Sequence, residues 1–416
     1  MNVKETKGIT LIALVITIVV LLILAGVVIA TLNGNDNIIK NANTAVGKYN
    51  EKVNEEQGVL DTLEEKLREY TNGGSSNPTT PEEPGTPPTT PTVDSNGLAT
   101  TPTTIKPSTN NANNLQIVIP AGFAPAILQT GTTRSLPGQD GSVKNKMPAS
   151  QWNNITAEDI NKGIVVVDAD GNEFVWIPIT DTSKFARKAW TIGSNTTAQT
   201  LAATSTLDAY WEEDTNTTEY TNMVTSVTNN KGFYVARYEA SANSGSGKAQ
   251  SKRGVTTWRS PSQTVAITKS ANYNSALHSH LMYGIEWDSI LNWLNGNATI
   301  SKYGQNIAMG LADLQTDSRS WGNYSNSTGD AATNSGSNQT TGKSEYWKAN
   351  NIYDLAGNVR EWTQEKRSTV STTGGDTVRA LRGGSYDFNG DETPAAERFG
   401  YDILYISFGF RVSFYL

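Results

Sequence analysis

The chain contains no cysteine, and only two histidines and five methionines in 416 residues. The first absence excludes disulfide bridges, thiolate metal centres and a thiol nucleophile together, so stability and any chemistry rest on packing and on oxygen and nitrogen side chains. Cationic residues are in the minority. The 33 Lys and Arg face 40 Asp and Glu, a formal net charge of -7, and the clustered basic footprint that nucleic-acid binding needs is missing. No tryptophan precedes Trp152, although ten follow from there on. A chain of this length has room for two or three domains, and the asymmetry puts the large buried core in the C-terminal two thirds.

Charge is also absent from Ile9 to Leu32, a run of 24 residues. A helix rising ~1.5 Å per residue needs about 20 to cross a bilayer, so this run predicts a transmembrane helix over 9–32. Lys4 and Lys7 precede it and Asp36 is the first charge after it. The positive-inside rule then leaves the N-terminus in the cytoplasm and places the rest outside the cell. A signal peptide is the competing reading, but its apolar region is shorter and closes on a small-x-small site, which Ala25-Gly26 does not supply.

The residues Lys7-Gly8-Ile9-Thr10-Leu11-Ile12-Ala13-Leu14 resemble the processing site of type IV prepilins. The resemblance implies a leader over 1–8, cleavage by a prepilin peptidase after Gly8 and methylation of Ile9. It departs from the family at Ala13, where most pilins carry a Glu that pairs with a neighbouring subunit's N-terminal amine. A minor or tip subunit beside other pilins, or a plain membrane anchor, tolerates that loss better than an abundant shaft subunit. Beyond the membrane, Ile38, Ile39, Ala42, Val46, Tyr49, Val53, Leu60, Leu63 and Leu67 recur at three- and four-residue spacing. That period predicts an amphipathic extracellular helix over 33–70 with a packing seam.

Residues 71–114 hold eight of the fifteen prolines and no aromatic residue. Such a composition predicts a disordered, semi-stiff Pro/Thr/Asn-rich stalk that holds the next domain away from the surface. From Leu115 to the end at 416 the pattern changes to short apolar runs divided by long polar loops. Strands are expected over 116–120, 163–167, 173–178 and 233–239. A helix is expected over 286–294, with Asp288 and Asn292 opposite its apolar face. The fold class expected is α+β with a loop-rich face.

Within this domain the order of Gly232-Phe233-Tyr234-Val235-Ala236-Arg237-Tyr238-Glu239, Asn351-Ile352-Tyr353-Asp354-Leu355-Ala356-Gly357-Asn358-Val359-Arg360-Glu361-Trp362, Leu381-Arg382-Gly383-Gly384-Ser385-Tyr386 and Gly409-Phe410-Arg411-Val412 resembles the formylglycine-generating enzyme (sulfatase-modifying factor) family. The resemblance implies a C-type-lectin-like fold. It also implies a pair of copper-binding cysteines for catalysis, the first shortly after Gly-Gly-Ser, where this chain has Phe388. Without cysteine that chemistry is lost, so no catalytic residue is expected and no cofactor is required; a divergent enzyme of the family is the alternative. In a related branch iron is held by histidines, but His278 and His280 read better as a packed or solvated pair. The family's structural calcium would fall on Ala356, Gly357, Val359 and Glu361; otherwise Glu361 pairs with Arg360, Arg382 or Arg411.

Two stretches between the last motifs, Tyr386-Asp387-Phe388-Asn389-Gly390-Asp391 and Phe399-Gly400-Tyr401-Asp402-Ile403-Leu404-Tyr405-Ile406-Ser407-Phe408, lack the alternation of a half-buried strand. They are the candidate ligand-binding surface, with Tyr386, Asp387, Phe388, Asn389, Asp391, Phe399, Tyr401, Asp402, Ile403, Leu404, Tyr405, Ser407 and Phe408 as its residues. Every residue in them has a codon ending in a pyrimidine, as randomising the adenines of Asn codons would give. Roughly one ordinary residue in five would break that rule. Diversity-generating retroelements alter the C-termini of lectin-fold variable proteins that resemble this chain in that way. The expected function is a cell-surface adhesin or receptor, membrane-anchored or pilus-associated, binding an extracellular protein or glycan; a structural minor pilin is the alternative.

Overall fold

The structure is a computed structural model, and it describes residues 90–190, 192, 211–367, 378–401 and 404–416. The expected leader, the span over 9–32, the helix over 33–70 and the stalk up to residue 89 lie outside the described residues. Among the described residues, no helix is long and apolar enough to cross a membrane. Two compact units divide the chain, Met1–Thr86 and Pro87–Leu416, and the described residues all belong to the second.

That unit is mixed α+β, with sheets outweighing helices. Its main sheet has seven strands in the order Ser279–Leu281, Val412–Phe414, Gly232–Ala236, Glu173–Pro178, Val165–Asp168, Phe123–Leu128 and Val143–Lys146. All its pairings are antiparallel. The expected strands are here or beside it, and their unbroken apolar runs have a simple cause. Val165, Val175, Ile177, Phe233 and Val235 enter one core, while Val166, Phe174, Trp176 and Tyr234 enter the other. A sheet buried on both faces has no reason to alternate apolar with polar.

The first core is closed by the helices Thr218–Asn230 and Gly284–Leu294. The second includes Trp152, Ala266 of the helix Gln263–Ala271, and Trp362, Leu381, Phe408 and Phe410 of a smaller sheet. In that smaller sheet Arg398–Tyr401, Arg379–Arg382, Arg360–Arg367 and Phe408–Phe410 lie side by side, and Trp211–Glu212 pairs with the far end of the third. The last pair is parallel, with Arg360 opposite Phe408. The chain leaves the small sheet at Phe410 and enters the large one at Val412. Arg411, between them, is fully buried and binds Glu361.

The stalk ends earlier than residue 114. Thr103–Ile105 pairs with Ile117–Ile119, and Leu98, Ala99 and Ile105 are buried in the second core. Pro102 and Pro107 flank that short strand rather than interrupt it, and its few buried aliphatic residues are too scattered to show a period. On the helix over 286–294, Asp288, set opposite the apolar face, is nevertheless fully buried.

Candidate functional site

Arg382 and Arg398 are register partners on adjacent strands, which puts two guanidinium groups side by side inside the protein. Two buried charges of one sign need partners of the other. Asp288 and Glu365 supply them. Arg382 reaches Asp288 at 2.8 Å and Glu365 at 3.0 Å; Arg398 reaches Glu365 at 2.9 Å and also pairs with Asp288. Trp190 Nε1 donates to Asp288 at 2.9 Å, and Arg187 adds a third cation to Glu365 at 2.9 Å. Burial alone raises the Glu365 pKa, but Arg398, Arg382 and Arg187 outweigh it and hold the carboxyl far below the usual range. Glu213, buried next to Glu365, is pushed up to about 8.

The two candidate stretches follow in sequence on the strands that carry Arg382 and Arg398. Gly384, with φ of +70°, turns the chain out of the strand into the first of them; a Cβ there would run into the Thr393 carbonyl. The loop is then tied to its neighbour. Ser325 N donates to the Phe388 carbonyl at 2.9 Å, Gly390 N donates to Asn326 Oδ1 at 2.9 Å, and Asn326 Nδ2 donates to Asp391 at 2.9 Å. Asn389 accepts from Ser325 Oγ and Asp387 from Ser385 Oγ. Tyr386 is half-buried. Burial and then the Asp387 carboxylate push its hydroxyl pKa up, against the pull of Arg259.

The two stretches meet through one buried side chain. Arg360 pairs with Glu397 at 3.2 Å, and its guanidinium lies 4.0 Å from the ring centre of Phe388 and 4.6 Å from that of Phe399. From Phe399 the contacts continue: Tyr401 at 5.5 Å, then Phe408 at 5.4 Å, then Tyr405 at 6.0 Å. Phe388 and Tyr405, at the two ends of this chain of contacts, are 39% and 46% exposed, and Leu404 and Ile406 beside Tyr405 in sequence are 54% and 55% exposed.

Two of the expected binding residues are corrected. Ser407 and Phe408 are buried, because Phe408 begins the strand beside Arg360 and its ring packs on Trp362. Asp402 and Ile403 lie outside the described residues, and Tyr386, Asp387, Phe388, Asn389, Asp391, Phe399, Tyr401, Leu404 and Tyr405 are exposed or half-buried. The sequence reading missed Arg360 as the piece that joins the stretches. Alternation along a strand carries the signal: Arg360 and Glu361 are adjacent and so face opposite ways, which frees Arg360 for the aromatic side.

The ligand set read for calcium does not fit that ion. Both Glu361 oxygens accept from Arg411, at 2.7 and 3.0 Å, and a guanidinium repels a cation from the same carboxylate. The Ala356 carbonyl accepts from Asn323 N. Gly357, with φ of +75°, sits where a Cβ would strike the Asn323 backbone, so close backbone contact explains the Gly-Asn pair. Beside it Glu239 accepts from Val359 N at 3.0 Å and from Asn358 Nδ2. Burial and the nearby Asp354 raise the Glu239 pKa well above the usual range, and burial lifts Asp354 to about 7. His278 stacks on Tyr415, and His280 Nε2 lies 3.0 Å from the buried Glu286. Among the described residues, no group of three or more His, Asp or Glu is placed to hold a metal ion.

No protein family matches the chain, and no curated protein matches it. Among solved structures it is similar to Treponema denticola variable protein 1, at 13% identity over 76% of this chain and 100% of that one, with a TM-score of 0.23.

Proposed function

We propose that this chain is a cell-surface ligand-binding protein whose C-terminal unit grips an extracellular protein or glycan through the face formed by 386–391 and 399–406. The observation that carries the reading is the exposure of Phe388, Leu404, Tyr405 and Ile406 in two loops that the buried Arg360 joins through Phe388 and Phe399. Large aromatic side chains give contact area at low entropic cost, and monomeric proteins rarely leave such patches without use. Phe388 occupies the position of the family's first copper-binding cysteine, which favours binding over catalysis. The finer reading is a C-type-lectin-like domain of the formylglycine-generating type, presented on a prepilin-like membrane anchor and a Pro/Thr-rich stalk. Its face is varied by a diversity-generating retroelement.

The purified full chain, immobilised and exposed to surface extracts of neighbouring cells, is expected to retain one or a few macromolecules. The double variant Phe388→Ala/Tyr405→Ala should lose them while unfolding at the same denaturant concentration to within a small shift. Equal capture by both proteins would sink the placement of the face. A reverse transcriptase gene next to an imperfect copy of the 3′ coding repeat would establish diversification, and its absence would remove that part.

A further inference from the structure

The candidate face has a contributor that belongs to neither stretch. In the segment before the helix Gln263–Ala271, Trp258 N donates to the Ala240 carbonyl at 2.8 Å and Ser260 N to the Phe408 carbonyl at 2.9 Å, which fixes the chain on both sides of Arg259. Ser260 Oγ also donates to the Tyr405 carbonyl at 3.2 Å and ties the segment to the second stretch. Ser260 has a φ of +57°, in the left-handed region that a residue other than glycine enters only when its surroundings impose it. Imposed backbone strain of this kind collects at binding sites.

Arg259 itself is exposed, and its guanidinium reaches the Tyr386 hydroxyl of the first stretch. Burial and Asp387 raise the Tyr386 pKa, Arg259 lowers it and Tyr405 raises it again, so Arg259, Tyr386 and Tyr405 share one neighbourhood. What Arg259 lacks is a carboxylate. Arg237, Arg319, Arg360 and Arg411 hold one at 2.6, 2.8, 3.2 and 2.7 Å. Among the described residues Arg259 forms no ion pair. Asp387, the acid beside Tyr386 in sequence, accepts instead from Ser385 Oγ at 2.7 Å.

A guanidinium presents its donors in a fixed fork that matches a carboxylate, and each phenol hydroxyl adds a donor of its own. Arginine and tyrosine are also among the residue types that carry most of the energy at protein contacts. The apolar neighbours select the kind of molecule that brings the acid. Leu404 and Ile406 are 54% and 55% exposed and have nothing to offer the hydroxyls of a glycan, whereas they match the apolar side chains of a protein.

From these observations we infer that the face takes up a protein segment bearing an aspartate or glutamate flanked by apolar side chains, with the carboxylate seated on Arg259 between Tyr386 and Tyr405. The inference rests on the function proposed above and narrows its partner from protein or glycan to an acidic protein.

The test is selection of a phage-displayed library of random linear peptides on the immobilised full chain. The enriched peptides are expected to carry an Asp or Glu beside apolar residues. Synthesised singly, they should bind Arg259→Gln at least about tenfold more weakly, as loss of a charge-assisted hydrogen bond does, and recover only in part with Arg259→Lys, which keeps the charge without the fork. Arg259→Glu should turn the selection toward Lys and Arg. Peptides that bind Phe388→Ala/Tyr405→Ala as tightly as the parent would place the contact elsewhere and remove the face together with this inference. Peptides lost in that double variant but free of acidic residues, or indifferent to Arg259→Gln, would leave the face standing and overturn the acidic partner. A library that yields no peptide overturns it too, and Arg259-dependent binding of heparin or sialyllactose would then assign the site to an acidic glycan.

Discussion

Two neighbouring regions of the C-terminal unit reverse the usual placing of charged and apolar side chains. In the small sheet Arg382, Arg398, Asp288 and Glu365 form a buried charged lattice, whereas in the loops that follow its strands Phe388, Leu404, Tyr405 and Ile406 stand in solvent. The contrast teaches that shape and identity are assigned to different regions. Charged pairs hold only one arrangement of partners and so fix where the strands lie, although replacing such a network with apolar side chains is often neutral or better for stability. The loops add little to that framework and are free to carry whatever side chains a ligand requires.

The comparison breaks first at Arg382. Its replacement in Arg382→Met leaves Asp288 and Glu365 short of one guanidinium in a dry interior, and the expected loss is about 3–5 kcal/mol, read from denaturant unfolding. A loss below about 1 kcal/mol would show that water reaches the lattice and that it does not fix the fold. Phe408→Ala belongs beside it. The ring is 2% exposed, and a buried Phe→Ala change costs about 3–5 kcal/mol.

Arg360→Met comes next, at about 3 kcal/mol, because the side chain meets one carboxylate, that of Glu397, rather than two. It joins the two regions, so the expected outcome is double: a lower unfolding midpoint and a weaker ligand, since Phe388 and Phe399 lose the group between them. Loss of stability with full binding would mean that the two loops do not act as one surface.

Much of this arrangement was legible beforehand, and the gaps have physical causes. The runs Ile164-Val165-Val166-Val167 and Phe174-Val175-Trp176-Ile177 announced strands because both of their faces are buried. Asp288 was read only as lying opposite the apolar face, because helical periodicity registers hydrophobicity, and a buried carboxylate whose partners lie 94 and 110 residues away leaves no local trace. Ser407 and Phe408 were read as surface because they end an aromatic stretch. Only the pairing of Phe408 with Arg360 shows that the stretch has by then become an inner strand. The burial of Leu98, Ala99 and Ile105 was hidden by the surrounding prolines and threonines.

A smaller effect concerns pH. Burial and Glu365 raise Glu213 to about 8, and burial raises Asp354 to about 7. Groups raised in this way contribute stability that is complete below the ordinary carboxylate range and is lost as pH climbs through 7 to 8. Glu365 is depressed, so its contribution is present above its unfolded value and fades as pH falls through the acid range. Stability should therefore peak on the mildly acidic side and decline toward pH 8 by at most about 1.4 kcal/mol per pH unit for each raised group. Glu213→Gln should flatten that decline and spare the acid limb; an unchanged alkaline slope would mean that Glu213 is already charged at neutrality.

The smallest expected effect on folding is the most informative about function. Phe388 and Phe408 are the same residue type and both belong to the run of contacts through Arg360 and Phe399, but one is half exposed and the other buried. Phe388 is 39% exposed, so Phe388→Ala forfeits part of one ring's burial and its contact with the buried Arg360 guanidinium, together about 1.5–2 kcal/mol. The fold has little use for that ring at the surface, and its area is available to a partner. Chemical denaturation of the two alanine variants side by side should give a shift for Phe388→Ala about half that for Phe408→Ala or less, with ligand capture lost at least tenfold in the first. Equal shifts would make Phe388 a core residue that happens to show an edge, and the open patch would then be a consequence of packing rather than a surface built for contact.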